Sequence, residues 1–151
     1  MTTPKTNTKA VVQPYLTFAG RCEEAIEFYR KALGAEVEMI MRFKDSPEKC
    51  DSDKVPPGYD EKVMHSSFRI GDSVIMATDC DFEGSKGFQG FSLSYSAPDE
   101  ATINRAFAAL AEGGKVQMPL SKTFFSPLFG VVFDRFGISW MVLVTPPQPC
   151  N

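Results

Sequence analysis

The sequence predicts an α+β fold made of two βαβββ modules, and two observations carry this prediction. The first is a weak internal repeat, in which Glu24-Ala25 and Val37-x-Met39 return as Glu100-Ala101 and Val116-x-Met118. The second is that the hydrophobic period changes in the same order in both copies, from strand to helix to three strands. Copies about half a chain apart indicate one duplicated unit, because a solenoid would repeat several times.

The first module is predicted to open with a strand at Val11–Phe18 and to continue with a helix at Cys22–Leu33. Apolar residues recur at helical spacing in the second stretch, and Gly34 stands where a glycine commonly ends a helix. Three more strands are predicted at Val37–Phe43, Val63–Ile70 and Ser73–Thr78. The last two form a hairpin, because Gly71-Asp72 is a two-residue turn that contains the required glycine.

The second module is predicted to open with a strand at Phe91–Tyr95. Ser96 is the predicted N-cap of a helix near 99–112, with Asp99 as its capping-box partner. Strands then follow at Lys115–Leu120, Gly130–Phe133 and Ser139–Val144. In the turn before the last strand, we expect Asp134 to cap local N–H groups and Gly137 to supply an unusual backbone angle.

The predicted domain is a single unit over residues 11–145, with modules at about 11–79 and 87–145 and flexible tails at 1–10 and 146–151. Two curved sheets, each with a helix on its convex side, can share one face as a cleft. Together they bury a core that neither half would supply well alone. The long polar stretch at 44–61 is expected either to cover the cleft or to lie across a partner subunit.

Composition narrows the possible functions. The net charge is −3 and no cluster of Lys and Arg is present, which argues against nucleic-acid binding. We expect no membrane partner, since no apolar run approaches the roughly 18 residues that span a bilayer, and the first residues lack the apolar segment of a signal peptide. Four cysteines without a CxxC spacing favour free thiols and a cytoplasmic location.

Three segments resemble one known family. PYLTFAGRCEEAIEFYRKALGAE at 14–36 is similar to the opening strand and helix of PhnB-like proteins, and HSSFRIGDSVIMATD at 65–79 to their third and fourth strands. KTFFSPLFGVVFDRFGISWMVLV at 122–144 resembles their C-terminal signature. The chain is therefore identified as a PhnB-like member of the vicinal-oxygen-chelate (glyoxalase/bleomycin-resistance/dioxygenase) superfamily, whose fold is a curved sheet cleft.

The resemblance implies a divalent metal held in the cleft by His, Glu or Gln residues from the first and last strands of each module. The corresponding positions here are Gln13, Met76, Phe91 and Met141. Only Gln13 offers a ligand that suits a hard cation, because thioethers prefer soft ions. We therefore expect a degraded site with no metal and no other cofactor.

His65 is the single histidine of the chain. Across the predicted hairpin, Ser67 faces Met76 and His65 faces Thr78, so these side chains share one face of the sheet. His65 is either a partly exposed sheet residue or a cleft residue that contacts ligand and accepts a proton, which makes it a weak catalytic candidate. The expected ligand-binding cleft comprises Gln13, Tyr15, His65, Met76, Phe91, Phe125 and Met141.

The sequence leaves two main functions open. The first is a metal-free protein that binds an unknown small organic molecule in an apolar cleft, without classical metal-dependent activity. The second is a lyase, isomerase or dioxygenase-type enzyme of the same superfamily that uses a relocated metal, or acid–base chemistry at His65 or Asp79. A purely structural or regulatory dimer is a third possibility. In each case the resemblance implies a homodimer, which would also cover sheet edges.

Overall fold

The computed structural model describes residues 9–46, 55–81 and 87–146. The predicted fold class is confirmed: each half of the chain forms a strand, a helix and three more strands. The elements of the first half are β1 (Tyr15–Thr17), α1 (Cys22–Leu33), β2 (Glu36–Arg42), β3 (Val63–Ile70) and β4 (Ser73–Thr78), with a single 3-10 turn at Phe43–Asp45. Those of the second half are β5 (Leu93–Ala97), α2 (Glu100–Ala111), β6 (Lys115–Ser121), β7 (Phe129–Phe133) and β8 (Ser139–Val144).

The two sheets have the same topology. Their strand orders are β1-β4-β3-β2 and β5-β8-β7-β6, with the first strand parallel to the last and the other pairs antiparallel. The irregularities also correspond, since one extra residue, Glu38 or Gln117, is inserted between the valine and the methionine of each repeat. The sequence repeat is therefore a repeat of backbone geometry, including its bulge.

The opening strands differ from the prediction at their first residues. β1 begins after Pro14, whose carbonyl accepts the N–H of Met76 but whose nitrogen has no hydrogen to extend the ladder. In the second module β5 begins at Leu93 and includes Ser96, so the predicted N-cap at Ser96 is wrong. Asp99 is the N-cap of α2, and its side chain accepts the N–H of Thr102.

The N-terminus of α1 is capped from a distant part of the chain. Its N-cap residue, Arg21, makes no side-chain capping bond. Instead the buried carboxylate of Asp79, which follows β4, accepts the N–H groups of Gly20, Cys22 and Val63 at 2.7–3.0 Å. These bonds satisfy donors that a helix start leaves unpaired. Asp79 therefore holds α1 against its sheet and faces the helix, which is not where acid–base chemistry on a bound molecule would need it.

Both helices lie within one core that the two modules share. We call the side of each sheet that meets a helix its helix-bearing face, and the other side its open face. The ring of Tyr29 in α1 lies 6.0 Å from that of Phe68 in β3 and 5.6 Å from that of Trp140 in β8. If the sheets stood edge to edge through β1 and β5, then β3 and β8 would be four strand spacings apart, which is about 19 Å.

The helix-bearing faces of the two sheets therefore turn towards each other, and the open faces point away. Hydrogen bonds close the junction: Tyr29 Oη donates to Asp134 Oδ2 at 2.5 Å, and Trp140 Nε1 donates to the same oxygen at 2.9 Å. A cleft lined by both open faces cannot form within a single chain. Among the described residues, no helix is long and apolar enough to cross a membrane.

Candidate ligand-binding site

The open face of the first module is set by the register of its strands. Ser67 in β3 pairs with Met76 on β4 and, on its other side, with Met39 on β2. Met76 in turn pairs with Tyr15 on the edge strand β1. The predicted Ser67–Met76 pairing is confirmed. One step along β3, His65 pairs with Met41 of β2. The middle of this face is therefore a strip of thioethers and small side chains with one imidazole and one phenol, and Arg69, paired with Glu36, lies at its end.

The imidazole and the phenol are hydrogen-bonded to each other. Tyr15 Oη lies 2.8 Å from His65 Nδ1, and the two ring centroids are 5.5 Å apart. Partial burial is the main cause that raises the pKa of the Tyr15 phenol, so the hydroxyl keeps its proton near neutral pH. Tyr15 is 49% exposed, which leaves the pair accessible from solvent.

The open face of the second module has the same layout with different side chains. Val131 in β7 lies between Met141 on β8 and Met118 on β6, and Ser94 on β5 pairs with Met141. At the end of this face, the Phe125 ring packs edge-on against Phe129, with centroids 5.0 Å apart. The adjoining Phe124 is fully exposed. The second face is thus more apolar than the first and ends in a cluster of three phenylalanine rings, Phe124, Phe125 and Phe129.

Methionine is concentrated on these two faces. Of the six methionines among the described residues, five lie on an open face: Met39, Met41, Met76, Met118 and Met141. The prediction named only Met76 and Met141. Two of the other three, Met39 and Met118, could have been found from the repeat, because they are the methionines of its Val-x-Met motif. What the sequence did not indicate is that the bulge turns both of them to the open side.

The structure brings together part of the predicted cleft. Tyr15, His65 and Met76 share the open face of the first module, while Met141 and Phe125 belong to that of the second. Since these faces point apart, the two groups do not meet within one chain.

Gln13 and Phe91 lie outside the paired strands. Gln13 is exposed and precedes β1. The ring of Phe91 packs against that of Phe88, which in turn contacts Phe18 of the shared core. In register, the position that matches Gln13 is Ser92, whose hydroxyl donates to Ser139 at 2.8 Å.

Known proteins share the sequence pattern of this chain. The family model of the Glyoxalase/Bleomycin resistance protein/Dioxygenase superfamily matches residues 12–142. The chain belongs to this superfamily. Protein YjdN of Escherichia coli strain K12 is 37% identical over 145 residues, which cover 91% of this chain and 97% of that protein.

Two solved structures show the same superfamily fold. Protein PA1353 from Pseudomonas aeruginosa has 39% identity and a TM-score of 0.79, covering 91% of this chain and 98% of that one. The PhnB protein from Bacillus cereus has 27% identity and a TM-score of 0.73, covering 90% and 100%. The resemblance to the PhnB-like branch is confirmed.

The open faces of this superfamily member do not suit a hard divalent cation. Met76 and Met141 offer thioether sulfur, and their neighbours Ser67, Val131 and Ser94 offer at most a hydroxyl. Within residues 9–46, 55–81 and 87–146, no three His, Cys, Asp or Glu side chains gather in a way that could hold a metal. Catalytic zinc usually takes three protein ligands from such groups.

Proposed function

We propose that this protein binds small organic molecules on its methionine-lined open faces, and that the metal site of its superfamily has degenerated. The observation that carries the proposal is the concentration of methionine where metal ligands would be needed. Methionine side chains are flexible and polarisable, and they recur on protein surfaces that accept varied apolar partners. A few polar groups among them, Tyr15, His65 and Ser94, would orient what is bound.

We also propose that the protein acts as a homodimer. A small-molecule site usually encloses most of its ligand's surface, whereas one open face can contact only one side of it. Since the two faces of one chain point apart, a second chain is needed to bring the face of a first module opposite that of a second module. Phe124 and Val12 are fully exposed in the single chain and are therefore available for such contact.

A cytoplasmic location is part of the proposal. Burial is the main cause that raises the pKa of the Cys22 thiol to about 12, so this thiol is unreactive at neutral pH and has a packing role. Cys50 and Cys150 lie outside the described residues. Cys22 forms no disulfide, as is usual for cysteines in a reducing compartment.

The binding proposal can be tested with N-phenylnaphthylamine, a neutral probe that brightens in apolar surroundings. The probe is expected to bind the wild-type protein. Met76→Glu should weaken its binding at least about tenfold, because a carboxylate would have to be desolvated within the site. Ala108→Glu places the same charge on the exposed side of α2 and is the matched control, expected to leave the affinity unchanged. Equal binding by all three proteins would rule out the open face of the first module as the site.

Metal content is measured on the same preparations. Elemental analysis should find no divalent metal in stoichiometric amount, and added zinc or nickel should not raise the melting temperature, since only a ligand of the native state stabilises it. About one tightly held metal per chain would contradict the proposal and favour a metal-dependent enzyme.

The dimer has a separate test, which does not need a ligand. Light scattering at micromolar concentration should give the mass of two chains, and Phe124→Asp should shift the protein towards monomer. Phe124 is fully exposed, so this change should leave the melting temperature of the isolated chain almost unaffected. A monomer mass for the wild-type protein would contradict the homodimer.

A further inference from the structure

We infer that the molecule bound on the open face of the first module carries an exposed acceptor oxygen, such as a carboxylate, sulfonate or carbonyl, beside an apolar body. This inference rests on the proposed small-molecule binding and names the chemical class. It follows from the hydrogen-bonded pair Tyr15–His65, which is the feature that distinguishes this face from its counterpart in the second module.

Counting protons shows what the pair offers to a ligand. If Tyr15 donates to His65 Nδ1, the hydrogen of the neutral imidazole is on Nε2 and points away from the phenol. If Nδ1 donates to Tyr15, the phenol hydrogen is released and points outwards instead. If the imidazole is protonated, both outward hydrogens are present. In every protonation state at least one donor hydrogen is left over. Water accepts it in the free protein, and an acceptor oxygen of a ligand would take the place of that water.

Two other side chains on the open face of the first module could donate a hydrogen bond to a ligand. Arg69, two positions beyond Ser67 on the same face, donates through Nε to Glu38 at 3.3 Å, which uses one of its five N–H groups. Ser67 can add a hydroxyl donor. Among the described residues, no side chain holds this hydroxyl in one direction, as Tyr15 and His65 hold each other. Met76 and Met41 flank the pair on neighbouring strands. A ligand whose oxygen meets the pair would therefore place its apolar part on these thioethers.

The second module has no equivalent donor. The positions that match Tyr15 and His65 are Ser94 and Phe129. The Phe129 ring has no hydrogen-bonding atom that could orient the Ser94 hydroxyl, which lies two strands away in the sheet. Where the two kinds of face enclose one molecule, the polar end of that molecule would be directed to the first module and its apolar end to the second.

Two probes that differ in a single group test this inference. Anilinonaphthalene sulfonate and N-phenylnaphthylamine share their ring system, but only the first has an acceptor oxygen group. The double variant Tyr15→Phe/His65→Leu should lose about tenfold affinity for the sulfonate, the weaker end of the range for a hydrogen bond to a charged group. Its affinity for the neutral amine should change by less than about twofold.

The two single variants complete a double-mutant cycle. Tyr15→Phe leaves an N–H of His65, and His65→Leu leaves the Tyr15 hydroxyl, so each should lose less sulfonate affinity than the double variant. Tyr95→Phe removes a phenol hydroxyl from the helix-bearing side of β5, away from both open faces, and should bind both probes as the wild-type protein does. Tyr15 is half exposed and His65 is partly exposed, so these changes should leave the fold intact.

The outcomes separate the two proposals. Loss of sulfonate affinity alone supports the acceptor oxygen. If both probes bind and the double variant weakens both equally, or neither, then small-molecule binding stands and the acceptor inference is wrong. If neither probe binds the wild-type protein, the proposed function fails and the inference fails with it.

Discussion

The two modules of this chain have nearly the same backbone and very different open faces. Strand order, pairing direction and the position of the bulge agree between them. On the open faces only the methionines correspond, Met39 with Met118 and Met76 with Met141, while Tyr15 and His65 are matched by Ser94 and Phe129. The comparison teaches that one backbone, including its bulge, can carry open faces with very different side chains.

Among the residues that the structure describes, each module buries one carboxylate, and the two carboxylates have different partners. Asp79 accepts three backbone N–H groups within its own module. Asp134 accepts the N–H groups of Phe136 and Ile138 in its turn, and it also binds Tyr29 and Trp140. Because Tyr29 belongs to the first module and Asp134 to the second, this carboxylate ties the two halves together.

Removal of this tie is expected to have the largest effect. Asp134→Ala should lower the free energy of unfolding by about 3–4 kcal/mol, since two buried side-chain donors and two turn N–H groups lose their acceptor. Tyr29→Phe should cost only about 1–2 kcal/mol, because Asp134 keeps its other donors. Guanidinium unfolding, followed by the fluorescence of the single tryptophan Trp140 and by circular dichroism, measures both. Separate transitions in the wild-type protein would contradict a core shared by the two modules.

A smaller effect is expected at a position where the helix-bearing faces differ. Ser66 in β3 and Gly130 in β7 hold equivalent places in the register. The Ser66 hydroxyl donates to the carbonyl of Ala77 at 2.8 Å. At Gly130 an added Cβ would lie 2.8 Å from the ring of Phe107 and 3.0 Å from the carbonyl of Met118. The helix of the second module therefore sits too close to its sheet for any side chain there.

Gly130→Ser should lower the free energy of unfolding by about 1–3 kcal/mol, the usual cost of overpacking a filled core. Ser66→Ala should cost at most about 1 kcal/mol, because one hydroxyl bond and a weak contact with Cys22 Sγ are lost and no atoms are added. Urea midpoints of the two variants give the comparison. If Gly130→Ser were as stable as the wild-type protein, the close approach of α2 to its sheet would be wrong.

Much of the fold could be predicted from the sequence, because local signals specify it. Helical spacing and Gly34 give both ends of α1, and the Gly71-Asp72 turn gives the register that sets His65, Ser67 and Met76 on one face. The turn at Asp134 was also predicted, including its local N–H bonds and the positive φ of 89° at Gly137. Each of these features depends on residues close together in the chain.

The features that the sequence did not indicate depend on distant residues. Nothing near Asp134 shows that its second oxygen binds Tyr29, which lies 105 residues earlier. The direction in which the open faces point depends on how the two sheets pack across the helices, and amphipathic patterns are the same for either arrangement. The Tyr15–His65 pair was missed for a related reason, since two residues on strands that are not direct neighbours meet only through the size of their side chains.

The bulge shared by β2 and β6 has a historical consequence. An irregularity that occurs at the same place in both halves is most simply explained by inheritance, so the ancestral single unit already carried it before the gene doubled. That ancestor would have left the surface around Tyr29 uncovered. It could have gained a complete interior only by joining with another copy of itself, and the present chain makes that old association permanent within one polypeptide.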